Sequence, residues 1–204
     1  MNSLNERFQA EIKREIEENK IEPACNLPLN FVFGYGPESA EVVMIGEAPG
    51  KDEVRFGRPF VGKAGAILDE ILLKTGIKRE QLYITNVVKY RLMKEGSKPG
   101  SFRNRPVTKR EIEIMLPWLE QEINLIKPKL ILTLGNVPLR ALCLMQNCGI
   151  LEIGTCHGEA FRLNDNTAHI PLYHPASQIY NRSLKEVFDE DFKKVRSYLE
   201  SQEG

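Results

Sequence analysis

Long apolar runs are missing from this sequence. No segment approaches the roughly 18 apolar residues that a membrane-spanning helix needs, and the opening MNSLNERFQAEIKREIEENK has no apolar core ahead of a small-residue cleavage site. A cytoplasmic protein is expected. Net charge is missing too: 28 basic side chains face 28 acidic ones, so any surface for nucleic acid must be local. Cysteine is sparse, at positions 25, 143, 148 and 156, with no CxxC pair. That excludes a disulfide framework and predicts thiols buried in the interior. The phosphate-binding patterns GxxxxGK[ST] and GxGxxG are absent, as are internal repeats and low-complexity tracts. One domain spanning residues 1–204 is expected.

What is present alternates between two periodicities. Leu4, Phe8, Ile12 and Ile16 recur every fourth position among charges, predicting an amphipathic helix over about residues 3–20. A loop punctuated by Pro23, Pro28 and Gly34-Tyr35-Gly36-Pro37 follows. Apolar runs at Glu41–Ile45, Leu82–Val88, Lys129–Leu134 and Ala168–Tyr173 read as buried strands. Between them lie helical patterns: Ile67, Leu68, Ile71 and Leu72 before Gly76, then Ile112 to Ile126 behind a Thr108/Glu111 capping box, with a kink at Pro117 and a stop at Pro128. A second box, Ser183/Glu186, precedes the last helix. Strands alternating with helices predict an α/β fold with a mostly parallel sheet.

In such sheets ligands bind beyond the carboxyl ends of the strands. After the first strand comes GEAPGKDEVRFGRPFVGKAG, residues 46–65, too rich in glycine and proline for helix or strand. Its small residues admit a planar ligand, Glu47 and Glu53 supply charge, and Phe60 supplies an aromatic face. The second strand leads into Asn86, the third into Gly135-Asn136, and the fourth into His174. Lys89, Arg91, Lys94, Lys98, Arg103, Arg105, Lys109 and Arg110 fall within one stretch whose acids are few. With Gly96, Pro99 and Gly100, this reads as a flexible basic loop suited to DNA phosphates. His157 and His169 carry no such positional signal.

GEAPGKDEVRFGRPFVGKAG, ITNVVK and HPAS, in this order and at these strand ends, resemble the hallmark segments of the family 4 uracil-DNA glycosylases. The resemblance runs from about Phe33 to the C-terminal helix. It implies a three-layer α/β/α sandwich around a four-stranded, mostly parallel sheet. It further implies a monofunctional enzyme that hydrolyses the N-glycosidic bond of uracil in DNA and leaves an abasic site. The alternatives are a glycosylase for another deaminated base, such as hypoxanthine, and a non-catalytic module for uracil-containing or abasic DNA.

Position by position, the resemblance assigns Glu47, Glu53 and His174 to catalysis. It assigns Gly46, Phe60, Asn86 and His174 to uracil, with Phe60 stacking on the base, Asn86 reading its pairing edge and His174 facing O2. Lys89, Arg91, Arg103, Arg105, Ser177, Ile179 and Arg182 are expected to meet DNA, with Ile179 or Tyr180 as the wedge that fills the gap left by the flipped base. Val54 departs from the family in replacing a common Asp. Family members ordinarily carry a [4Fe–4S] cluster on four cysteines. Here only Cys25 falls at such a position, while Glu22, Tyr90 and Met115 occupy the others. Ligation needs thiolates, so no cluster and no other cofactor is expected. A related subgroup links covalently to DNA through a histidine after the Asn strand, but residues 90–110 contain none. A monomer suffices for the chemistry.

Overall fold

The computed structural model describes residues 3–18 and 30–202, and in the first helix only the side chains of residues 10–16 and 18. The side chains of Leu4 and Phe8, and the whole of Glu22, Pro23, Cys25 and Pro28, lie outside the described residues. Along the chain run α1 (Ser3–Glu18), β1 (Val42–Gly46), α2 (Lys51–Phe56), α3 (Lys63–Thr75), a 3₁₀ turn (Arg79–Gln81) and β2 (Leu82–Asn86). Next come β3 (Met93–Glu95), β4 (Phe102–Asn104), α4 (Lys109–Ile126), β5 (Leu130–Leu134), α5 (Asn136–Met145) and α6 (Ile153–Cys156). The chain continues with β6 (Phe161–Arg162), β7 (Ala168–Leu172), α7 (Ser177–Tyr180) and α8 (Leu184–Gln202).

The main sheet has five strands in the order β2-β1-β5-β7-β6. The first four are parallel, and β6 pairs antiparallel with β7 through only two residues. The sheet expected with four strands therefore has a fifth, too short to leave a periodicity in the sequence. Alternation along each strand sorts the core into two layers. Val42 and Met44 of β1 pack with Leu68 and Leu72 of α3 and Phe188 and Phe192 of α8. Val43 and Ile45 face the other way, toward Ile12 of α1, Ile112 and Leu119 of α4, and Leu142 of α5. Each such side chain contributes about 1.5–3 kcal/mol when fully buried, which makes both faces of the sheet the main source of cohesion.

Two local expectations need revision. The basic stretch after β2 is an antiparallel hairpin, β3 with β4, rather than a flexible loop. Its turn is closed by Gly96 N–H on the Ser101 carbonyl at 2.8 Å and by the Ser101 hydroxyl on the Lys98 carbonyl at 2.7 Å. Helix α4 is continuous through Pro117. The Thr108/Glu111 box forms as expected, but Ser183 turns instead to Asn181 Oδ1, donating its N–H at 3.1 Å and its hydroxyl at 2.7 Å.

Because the long strands are parallel and in register, Gly46 opposite Asn86 and Leu134 opposite Leu172, their carboxyl ends share one edge of the sheet. Everything singled out at strand ends is thereby brought to that edge. The outer flank of β2 is covered by the chain around Tyr35, which exchanges two 2.9 Å hydrogen bonds with Ile84.

Candidate active site

Asn86 ends β2 and is 3% exposed. It shares a strand face with Leu82 and Ile84, the face on which α3 packs, so its amide emerges toward the loop after β1. Gly46 stands opposite it in the register. A Cβ on Gly46 would collide with Asn86 Oδ1 and come within 2.7 Å of the Phe60 ring. The missing side chain lets amide and ring bound the same space.

Phe60 holds a left-handed backbone, φ 53°, a conformation costing on the order of 1–2 kcal/mol for a residue with a Cβ. Two neighbours maintain it. The Arg79 guanidinium donates to the carbonyls of Pro59 at 3.1 Å and Phe60 at 2.9 Å, while its other arm pairs with Asp69 at 2.5 Å. Gly65 lies beneath, where any Cβ would run into the Phe60 carbonyl. Arg79 was not singled out from the sequence, because an arginine before a strand carries no pattern that points 19 residues back.

His174 follows β7, and its ring centre lies 5.8 Å from that of Phe60. Its Nδ1 accepts the Ala176 N–H at 3.1 Å, so the neutral ring carries its proton on Nε2. Burial lowers its pKa to about 4, with the Glu53 charge opposing. At neutral pH the imidazole is an uncharged donor.

Glu47 is half-buried immediately beyond Gly46. Its carbonyl accepts Val88 N–H at 3.0 Å and the Gly46 carbonyl accepts Val87 N–H at 2.9 Å, which continues the strand pairing into both loops. Burial raises the Glu47 carboxyl pKa above its ordinary value, and a hydrogen bond from the Val107 backbone offsets part of that rise. The edge thus brings together an aromatic ring, an amide and an imidazole N–H, with the Glu47 carboxylate on the loop that follows Gly46, held by the Val107 backbone. Together these can hold a planar, hydrogen-bonding ring and stabilise charge that develops beside it.

The family model described as "Uracil DNA glycosylase superfamily" matches residues 33–200. The chain belongs to the uracil DNA glycosylase superfamily. It is 35% identical over 189 residues to the "Type-4 uracil-DNA glycosylase" of Sulfurisphaera tokodaii, covering 91% of this chain and 82% of that protein. Proteins of the same name from Archaeoglobus fulgidus and Saccharolobus solfataricus are 37% and 38% identical. They cover 81% and 84% of this chain, and 80% and 77% of their own lengths are matched.

Within this uracil DNA glycosylase superfamily frame, several expected residues are engaged by partners inside the fold. Glu53, expected in catalysis, accepts Gly50 N–H at 3.0 Å on one oxygen and Gly62 N–H at 2.9 Å on the other. It closes the loop between α2 and α3, and its charge also bears on the His174 ring. Lys89, expected on DNA, is fully buried and ion-paired with Glu122 at 2.6 Å, and no phosphate can reach it. Arg105 grips Glu111 through both guanidinium arms, at 2.9 and 2.5 Å, and anchors the start of α4. Ser177 gives its hydroxyl to the His174 carbonyl at 2.7 Å and shapes the histidine turn.

Other expected residues do reach solvent near the site. Arg91 Nε donates to Asn104 Oδ1 at 2.9 Å, and burial lowers its pKa, with the charges of Asp52 and Glu53 opposing. The hydrogen bond fastens the hairpin beside the loop after β1. Lys94, Lys98 and Arg103 are exposed on that hairpin, and Arg182 is exposed after α7. Ile179 is 50% exposed and Tyr180 89%. Cys143 and Cys156 are buried as expected, but Cys148 is exposed. Asn136 Oδ1 accepts Ile153 N–H at 3.1 Å. His157 pairs with Asp191 and His169 with Thr133, both apart from the groups above.

The residues at the family's cluster positions do not fit a [4Fe–4S] group. Tyr90 and Met115 are 1% and 0% exposed in one apolar layer with Leu92 and Ile112, and the Tyr90 ring meets Phe31 edge-on at 6.2 Å. Neither offers a thiolate. Among the described residues, no group of three His, Cys, Asp or Glu could hold a metal ion.

Proposed function

We propose that this chain is a monofunctional uracil-DNA glycosylase, acting as a cytoplasmic monomer without an iron–sulfur cluster, and that it releases uracil by hydrolysis to leave an abasic site. The single observation that carries the reading is the meeting of the Asn86 amide and the Phe60 ring over Gly46, with His174 beside the same ring.

A base stacked in a duplex cannot be attacked at its glycosidic carbon, so it must be flipped out at a cost of a few kcal/mol. Stacking on Phe60 offsets part of that cost. Ile179 or Tyr180 suits the vacated gap, and Lys94, Lys98 and Arg103 suit the phosphates. The Asn86 amide donates to uracil O4 and accepts from N3–H. Cytosine presents the opposite donor at its exocyclic position and no proton on its ring nitrogen, so a fixed amide rejects it.

As the C1′–N1 bond breaks, its electron pair stays with uracil and positive charge grows on the sugar. The neutral His174 Nε2–H donates to O2, where the negative charge develops. Such a donor lowers the barrier by about 2.7–4 kcal/mol. The Glu47 carboxylate faces the positive sugar and orients water toward C1′. The water's proton is lost to the carboxylate or solvent, and uracil leaves to be protonated in solution.

The test uses oligonucleotides carrying uracil, hypoxanthine or a thymine mismatch, treated with alkali to cut abasic sites. Strand breaks only at uracil, nearly lost in Asn86→Ala, are expected. Tight binding without breaks at any base would replace this reading with a binding module, and breaks at hypoxanthine alone would change the base.

A further inference from the structure

Behind Asn86, on the opposite face of β2, lies a set of buried polar groups that the chemistry above does not use. Tyr83 and Thr85 project toward α4, where Glu122 receives them: Tyr83 Oη donates to one carboxylate oxygen at 2.8 Å and Thr85 Oγ1 to the other at 2.8 Å. Lys89 reaches back from the loop after β2. Its ammonium donates to Glu122 at 2.6 Å, to Thr85 Oγ1 at 2.7 Å and to the backbone carbonyl of Asn86 at 2.7 Å. Three protons thus meet three acceptors, and no side-chain atom of Lys89 is exposed. Gly34 closes the outside, since a Cβ there would press on the Glu122 carboxylate and the Tyr83 ring.

Desolvating two charges to form such a pair contributes little to stability, and well-packed apolar replacements are often neutral or better. Stability alone therefore gives no reason for the set. Its geometry does. The one backbone atom that the ammonium touches is the carbonyl of Asn86, the residue whose side-chain amide must not turn. On one side the Asn86 segment is held by strand pairing with β1, where Val87 N–H meets the Gly46 carbonyl at 2.9 Å. Lys89 fixes the other side.

We propose that Lys89, held by Glu122, Thr85 and Tyr83, is a positioning residue that fixes the peptide carrying Asn86 and so sets the orientation in which the amide reads the base. This rests on the reading of Asn86 as the base reader.

The test compares Asn86→Ala, Lys89→Met and the double variant Lys89→Met/Glu122→Leu, which removes both charges together. For each, melting temperature, KM for DNA, single-turnover release of uracil and inhibition by free uracil are measured. The double variant is expected to melt near the parent and keep its KM. It is also expected to release uracil about 10²-fold more slowly, the scale of a small misplacement, and to be inhibited correspondingly less by free uracil. A double variant with parental melting, turnover and inhibition overturns the proposal. So does a loss of turnover that only tracks the unfolded fraction. Should the double variant not fold, Thr85→Val, which removes the bridging hydroxyl at similar volume, is judged by the same two criteria with a several-fold effect expected. Parental activity in Asn86→Ala would instead sink the underlying reading, which separates the two failures.

Discussion

At Gly46 a hydrogen is all that separates the Asn86 amide from the Phe60 ring. Gly46→Ala drives a methyl group into the Asn86 amide and the Phe60 ring and displaces both, so single-turnover uracil release is expected to fall at least about 10²-fold, beyond any loss of folded protein in a parallel melt. The ionisable groups give a pH signature. His174 stays neutral down to about pH 4, so its protonation removes no activity between pH 5 and 8. In the proposed mechanism Glu47 works as a carboxylate, and burial raises its pKa. The acid limb of turnover should therefore begin above the range of an ordinary glutamate. Glu47→Gln should flatten that limb and lower the rate by about 10²–10⁴; a limb unchanged in this variant contradicts the assignment. The places of Glu47, Asn86 and His174 at the carboxyl ends of strands were readable in the sequence, because each lies at or just beyond the end of an apolar run. The partners of Glu53 and Lys89 were not, because they lie 9 and 33 positions away and spacing does not announce them.

Two elements shape access to those groups, the loop between β1 and α3 and the β3–β4 hairpin. The loop depends on a remote residue: Arg79 holds the carbonyls of Pro59 and Phe60, so Arg79→Ala should let the ring leave its left-handed position. About tenfold weaker kcat/KM is expected, with the salt dependence of DNA binding unchanged. For the hairpin the opposite pattern is expected. Replacing Lys94, Lys98 and Arg103 together should reduce the slope of log affinity against log salt by up to about 0.9 per lost phosphate contact on duplex DNA. Fluorescence anisotropy between low and moderate salt measures this, and an unchanged slope means the hairpin does not meet DNA. The charges of this element were evident in the sequence. Its strands were not, since three-residue runs such as Met93–Glu95 are too short to show alternation, and the Gly96–Gly100 turn reads simply as loop.

Across the whole molecule, the four parallel strands could be read from the sequence because each is buried on both faces and stands as a continuous apolar run. β6 could not, because two residues that pair with an edge leave no such trace. Two buried histidines, His174 and His169, are expected to make the fold acid-sensitive. His169 lies 2.8 Å from Thr133 inside the sheet, and burial lowers its pKa from the ordinary 6.5 to about 4. The unfolded chain then binds a proton that the folded one refuses. Its contribution is full above about pH 6.5 and is lost as pH falls toward about 4. Thermal melts across this window should decline on acidification, and His169→Gln should decline less steeply.

The most direct test of the site is a crystal structure with free uracil. The ring is expected against Phe60, its O4 and N3–H on the Asn86 amide and its O2 on His174 Nε2. Uracil bound at another surface, or Asn86 turned away from a ring seated on Phe60, would contradict the account.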